Sequence, residues 1–181
     1  VETTDEMLQA LEAESKIEKY DAIIHASAVG DYKADFSFLL EDLADEIFAA
    51  KNKIKSCKDI LKIMENPKCK IDDNTKIDSY QKNLTVKLGL TPKIIEKLRA
   101  WYPNTFIVGF KLLDHVPKAE LFRVAQELCI KNDVDFVIAN DLEDLGNGMT
   151  ERYLVNKKGY TGKKLEYFND IFGFVDENLK R

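Results

Sequence analysis

Apolar residues recur along this chain with two periods. Met7, Leu8, Leu11 and Ile17, set among acidic and polar neighbours, have helical spacing and predict an amphipathic helix capped at Thr3 or Thr4. Ala22 to Val29 is apolar on both parities, as a strand covered on both faces of a parallel sheet would be. Thr105–Phe110 and Asp135–Ala139 repeat that pattern, and Leu84–Leu88 reads as a further strand. Helical patterns separate them. Thr91-Pro92 opens one with Ile94, Ile95 and Leu98 on a common face, ending near Trp101-Tyr102-Pro103. Lys118 to Asn132 carries Leu121, Val124, Ala125 and Leu128, and a closing helix runs through Ile171, Val175 and Leu179. The alternation predicts the α/β class: a three-layer Rossmann-like sandwich with a mostly parallel sheet. Tyr153-Leu154-Val155 and Tyr160-Thr161, turned at Asn156–Gly159, add a small β-hairpin, and Leu145-Gly146-Asn147-Gly148 has turn chemistry.

From about Tyr32 to Gln81 the rhythm breaks. Lys51, Lys53, Lys55, Lys58, Lys62, Lys68, Lys70 and Lys76 fall here with no strand pattern, apart from a helix through Leu39, Leu43 and Ile47. The expectation is a single domain over residues 1–181 with an arm or flap inserted at about 33–82.

Composition narrows the function classes. A chain of 181 residues with 45% hydrophobic and 33% charged residues is that of a soluble globular protein. Its net charge of −5 supplies no cation excess for nucleic acid, so any anion site must be local. Cys57, Cys69 and Cys129 form no CxxC pair and lie far in sequence from His25 and His115, which predicts neither a disulfide framework nor a zinc site and fits a reducing cytoplasm. No run approaches the roughly 18 apolar residues of a membrane span, and no signal-peptide pattern opens the chain. The start at Val1, with no methionine before Met7, predicts a shortened chain.

In open α/β sheets, ligands bind beyond the carboxyl ends of the strands. Four places qualify. Ser27-Ala28-Val29-Gly30-Asp31-Tyr32 offers small residues for close approach and a carboxylate for a ribose hydroxyl or a metal, although the local sequence alone favours an ordinary turn with a solvated Asp. Leu90-Thr91-Pro92-Lys93-Ile94 reads as a helix N-terminus able to hold an anion, as most such termini do not. Gly109-Phe110-Lys111 puts an aromatic ring and a cation at the sheet edge, with core packing of Phe110 as the alternative. Asn140-Asp141 adds an amide and a carboxylate, or a plain turn. Jointly they predict a pocket for a phosphorylated ligand. Walker, G-x-G-x-x-G, G-x-S-x-G and H-E-x-x-H motifs are absent.

Five blocks, Ile24–Tyr32, Lys76-Ile77-Asp78-Ser79, Leu90–Ile94, Val108–Leu112 and Ile138–Leu142, occur in an order that resembles phosphopantothenoylcysteine synthetase, the phosphopantothenate cysteine ligase, in its stand-alone bacterial form. The family's glycine-rich N-terminal segment would lie before Val1. The resemblance implies a ligase of coenzyme A biosynthesis that joins 4'-phosphopantothenate to L-cysteine through an acyl-cytidylate, with CTP preferred over ATP and with Mg²⁺. By the same resemblance, Asp31 would contact the ribose or the metal. Ala26, Ser27 and Ala28 would lend backbone to the base, and Lys76 would be the mobile catalytic lysine. Thr91, Pro92, Lys93 and Ile94 would set a helix N-terminus near the phosphates, Phe110 would pack on the nucleotide, and Asn140 and Lys131 would serve it as well. Lys53-Ile54-Lys55-Ser56 repeats the Lys-Ile-x-Ser pattern but lies too far from Thr91-Pro92, so Lys76 is preferred. A homodimer is implied in the same way.

Two other readings compete. One is a non-catalytic nucleotide-binding or sensing module on the same fold; the other, a Rossmann-like oxidoreductase, lacks the dinucleotide glycine fingerprint.

Overall fold

The computed structural model describes residues 1–71, 77, 79–146 and 151–180. Lys76, Asp78 and the Asn147-Gly148 turn lie outside the described residues. In chain order the elements are α1 Thr4–Glu14, β1 Ala22–His25, β2 Tyr32–Leu39, α2 Leu40–Ala49, α3 Cys57–Glu65, β3 Leu84–Leu90, α4 Ile95–Trp101, β4 Phe106–Leu113, α5 Lys118–Asn132, β5 Phe136–Asp141, α6 Leu142–Gly146, β6 Arg152–Asn156, β7 Gly159–Leu165 and α7 Phe168–Leu179. A 3-10 turn covers Lys51–Lys53. No described helix is long and apolar enough to cross a membrane. The chain divides into two compact units: Val1–Val29 with Pro92–Arg181, and Gly30–Thr91.

The first unit is built on a five-stranded sheet in the order β1-β4-β5-β6-β7. β1, β4 and β5 are parallel, and the β6–β7 hairpin continues the sheet antiparallel from β5. Alternation along the central strands fills two layers. Ile107, Val137, Ala139 and Val155 face α4, α5 and the apolar side of α1, while Val108, Ile138 and Leu154 face Ile171, Phe174 and Val175 of α7. This is the three-layer α/β sandwich that the periodicity predicts. Gly109 is required where α4 meets β4, since a Cβ there would stand 2.9 Å from Ile95 Cδ1.

Three boundaries differ from expectation. The first strand stops at His25 and is half-buried, not buried on both faces, because β1 is the sheet edge with β4 as its one neighbour. α1 keeps its capping box, Thr3 with Glu6, but ends at Glu14, leaving Ile17 74% exposed. Thr91 caps nothing: α4 begins at Ile95, with Ile94 as its N-cap residue and no side-chain cap bond.

The second unit is a β2–β3 antiparallel pair carrying α2 and α3 over a small core of Phe36, Phe38 and Leu43. The Leu84–Leu88 strand therefore belongs to a separate two-stranded sheet and not to the main one. β2 was invisible to periodicity because its register shifts between Ala34 and Phe36, so Tyr32 to Asp35 are all exposed and alternation is confined to Phe36–Phe38. α3 hides under its lysines and starts from a capping box of Ser56 with Asp59. The second Lys-Ile-x-Ser match thus leads into that helix start.

Candidate functional site

Parallel pairing brings three of the motif blocks side by side. His25 pairs with Gly109, Phe110 with Ile138 and Leu112 with Asn140. Ala26, Ser27 and Ala28 leave the carboxyl end of β1 as exposed backbone. β4 runs on to Leu113, so Phe110 lies inside the strand and not at its end. Period-two alternation places Phe110 with Val108 on the α7 face, where it packs against the second core layer, and turns Lys111 to the opposite face. They do not form the joint stacking and phosphate pair expected of them. Asn140 shares the α7 face with Phe110 and is half-buried.

His25 is half-buried at this edge, and burial holds its imidazole pKa below the ordinary value. Asp141, one residue beyond Asn140, has a structural role, where the sequence offered a carboxylate for the pocket or a plain turn. Its side chain is 2% exposed; Oδ1 accepts from His115 N at 3.1 Å and Glu143 N at 2.9 Å, and Oδ2 accepts from Val116 N at 3.1 Å. The Val116 bond leads in holding the carboxyl below the usual range, with the Glu143 and His115 bonds adding to it. This carboxylate fixes the β4–α5 connection, where His115 takes φ 53°, to the start of α6. The detectable signal was a carboxylate directly before a helix, in N-cap position.

The blocks in the second unit also meet. Thr91 N donates to Asp31 O at 3.0 Å, Thr91 Oγ1 donates to Gly30 O, and Tyr32 pairs with Leu90. Asp31 and Thr91, far apart in sequence, are therefore neighbours, with Asp31 exposed. Pro92, Lys93 and Ile94 do not open a helix with free N–H groups: α4 has only 7 residues, and Ile94, 2% exposed, is part of the core. Lys131 is not brought to the edge where Asn140 lies. It precedes β5 at that strand's amino end, and its amine is 2.6 Å from Glu96 Oε1. Among the described residues, no three His, Cys, Asp or Glu side chains form a group able to hold a metal. The lone carboxylate of Asp31 fits Mg²⁺ only in the manner usual for that ion, with nucleotide phosphates completing the oxygen shell.

The family profile of the DNA/pantothenate metabolism flavoprotein C-terminal domain matches residues 66–156, from before β3 through β6. The chain belongs to this family. It is a domain of the phosphopantothenoylcysteine synthetase type, as the motif blocks suggested. Two archaeal relatives, each described as a coenzyme A biosynthesis bifunctional protein CoaBC, are similar to it. That of Thermococcus kodakarensis is 31% identical over 157 residues, 87% of this chain and 30% of the relative. That of Methanocaldococcus jannaschii is 35% identical over 107 residues, 56% of this chain and 27% of the relative. This flavoprotein C-terminal domain thus spans under a third of the curated relatives it matches. Among solved structures, the DNA/pantothenate metabolism flavoprotein of Streptococcus pneumoniae superposes with a TM-score of 0.70 at 25% identity, over 99% of this chain and 70% of that one.

Proposed function

We propose that this domain performs phosphopantothenate–cysteine ligation in coenzyme A biosynthesis, with CTP as the nucleotide. The observation that carries the reading is the arrangement of the family blocks within each unit: in the first, Ala26–Ala28 follow β1, while Phe110 and Asn140 share one face of β4 and β5; in the second, Asp31 is bonded through its backbone to Thr91. In the first step a carboxylate oxygen of 4'-phosphopantothenate attacks the α-phosphorus of CTP and pyrophosphate leaves. In the second, the cysteine amine attacks the acyl carbon, CMP leaves, and the amine gives up a proton. Both substrates of the first step are anionic, so the site must offset repulsion. Lys76 is assigned that task. Asp31 is assigned to the ribose or to Mg²⁺, which when bound with the nucleotide would neutralise phosphate charge. The exposed backbone of Ala26, Ser27 and Ala28 is open to the base.

Self-association of the domain is part of the proposal. Leu84, Val86, Leu88 and Leu90 stand on alternate positions of β3, all exposed, as an apolar row of the kind that a second copy covers.

The deciding experiment is pyrophosphate release by the full-length encoded protein with Mg²⁺, phosphopantothenate and either CTP or ATP, with and without cysteine. Release that needs phosphopantothenate, with amide formed only when cysteine is present, is the expected result and also identifies the nucleotide. No release with either nucleotide from the folded protein would overturn the ligase reading in favour of a binding module.

A further inference from the structure

The second unit contains a groove lined by none of the residues assigned above to the ligase chemistry. It lies between the C-terminal end of α2, the 3-10 turn and α3, and encloses about 580 Å³, within the range of small-molecule sites. Ala49, Ala50, Ile54 and Ile63 supply its apolar lining. Around them stand Lys53, Lys62 and Lys68.

Cations outnumber acids at this groove. Glu46 and Asp59 also line it, and both accept from backbone groups: Glu46 from Lys68 N at 2.8 Å and Cys69 N at 3.2 Å, and Asp59 Oδ2 from Lys55 N and Ser56 N at 3.0 Å each, with the charge of Lys62 adding to the pull that holds the Asp59 carboxyl low. Among the described residues, the amines of Lys53, Lys62 and Lys68 have no ion-pair partner within 4 Å. Three other lysines of the unit are engaged. Lys87 pairs with Asp35 at 2.8 Å, Lys70 donates to Asn66 Oδ1 at 2.7 Å and lies over the Phe36 ring, and Lys51 lies over Phe48. From Lys51 to Lys70 the chain has seven lysines and two acids, although its net charge is −5. Cations left over an apolar floor, in an otherwise acidic protein, concentrate positive potential at one concavity.

We propose that this groove is a binding site for a small organic phosphate, its apolar body on the Ala49–Ala50–Ile63 floor and its phosphate among Lys53, Lys62 and Lys68. Both halves of the ligand are needed. Surface lysines alone hold inorganic phosphate weakly in water, and the floor alone offers little to a neutral molecule.

The test is a titration of the full chain with 1-naphthyl phosphate, followed by amide resonances, against inorganic phosphate and 1-naphthol as controls. Expected are shifts centred on Ala49, Ala50, Ile54 and Lys68, affinity at least tenfold above either control, and a fall as salt rises. Lys62→Glu, at an exposed position, should weaken binding at least tenfold with the spectrum otherwise unchanged. Ala49→Asp, also exposed, should do the same by placing a carboxylate on the floor. Shifts elsewhere, equal affinity for 1-naphthol, or binding unchanged in both variants would overturn the proposal. No nucleotide or turnover enters this titration, so its failure and that of the ligase reading are separately visible.

Discussion

The two units dispose of their hydrophobic residues in opposite ways. In the five-stranded sheet, Ile107, Val108, Val137, Ile138, Leu154 and Val155 have no exposed surface, and each successive residue fills the layer opposite to its neighbour. In the second unit the hydrophobic cluster of the described residues is Phe36, Phe38 and Leu43, while β3 shows four aliphatic side chains to solvent, up to 72% exposed at Leu90. One unit is closed by its own helices. The other presents apolar surface that its own elements leave uncovered, which is the composition of a contact surface more than of a core.

The largest test of this contrast is chemical. Lys76, within the sequence span of the second unit, is assigned a role in the reaction. Lys76→Gln should lower kcat by about 10²–10³-fold, about 3–4 kcal/mol of barrier, while leaving nucleotide affinity nearly intact. Single-turnover kinetics beside equilibrium binding would check it, and unchanged turnover would transfer the assignment to Lys53.

Next come the cores. Ile138→Ala, in the fully enclosed layer, should cost about 3–4 kcal/mol, and Leu43→Ala, in the smaller core, about 2–3 kcal/mol. Trp101, the single tryptophan, belongs to the first unit. Urea unfolding followed by its fluorescence should therefore register Ile138→Ala strongly and Leu43→Ala weakly, whereas circular dichroism should register both. Equal shifts in the two signals would mean that the units unfold as one.

Smaller still is the effect on association. Leu88→Asp should raise the dissociation constant of the proposed homodimer at least tenfold, about 1.4 kcal/mol, as read by analytical ultracentrifugation. A wild-type chain that is monomeric at micromolar concentration would end that part of the proposal.

The subtlest prediction concerns acid. Because the Asp141 carboxyl is held below its usual range in the fold, its contribution is complete above the unfolded value of about 4 and is lost as pH falls through the folded value. The stability gap between wild type and Asp141→Asn should be full at pH 7 and should close at strongly acidic pH. Parallel curves throughout would remove the clamp assigned to Asp141.

Much of the first unit was legible because its signals are local. Lys118–Asn132 is helical over the whole span that its spacing marks, and the Asn156–Gly159 turn joins two strands as its residue types require. The second unit was not, for two physical reasons. A register shift at Asp35 erases the period-two pattern of β2, and in α3 the apolar residues Ile60, Leu61, Ile63 and Met64 fall in a short helix among Lys58 and Lys62, with Leu61 and Met64 exposed. At the site, motif blocks marked which segments converge but not which way side chains turn. Phe110 and Lys111 are adjacent in sequence and on opposite faces, and Lys131 lies one strand length from Asn140.

The bonds from Thr91 to Gly30 and Asp31 join residues far apart in sequence, 61 positions for Gly30. The inserted unit therefore leaves and rejoins the chain at a single point, like a cassette clipped in at a doorway. Extending a loop whose ends already touch is cheap, about 0.6 kcal/mol for each doubling of length. Such an arrangement lets the segment between be lengthened, exchanged or recombined between relatives while the strands on either side keep their register, so new binding surfaces can be tried without rebuilding the sheet.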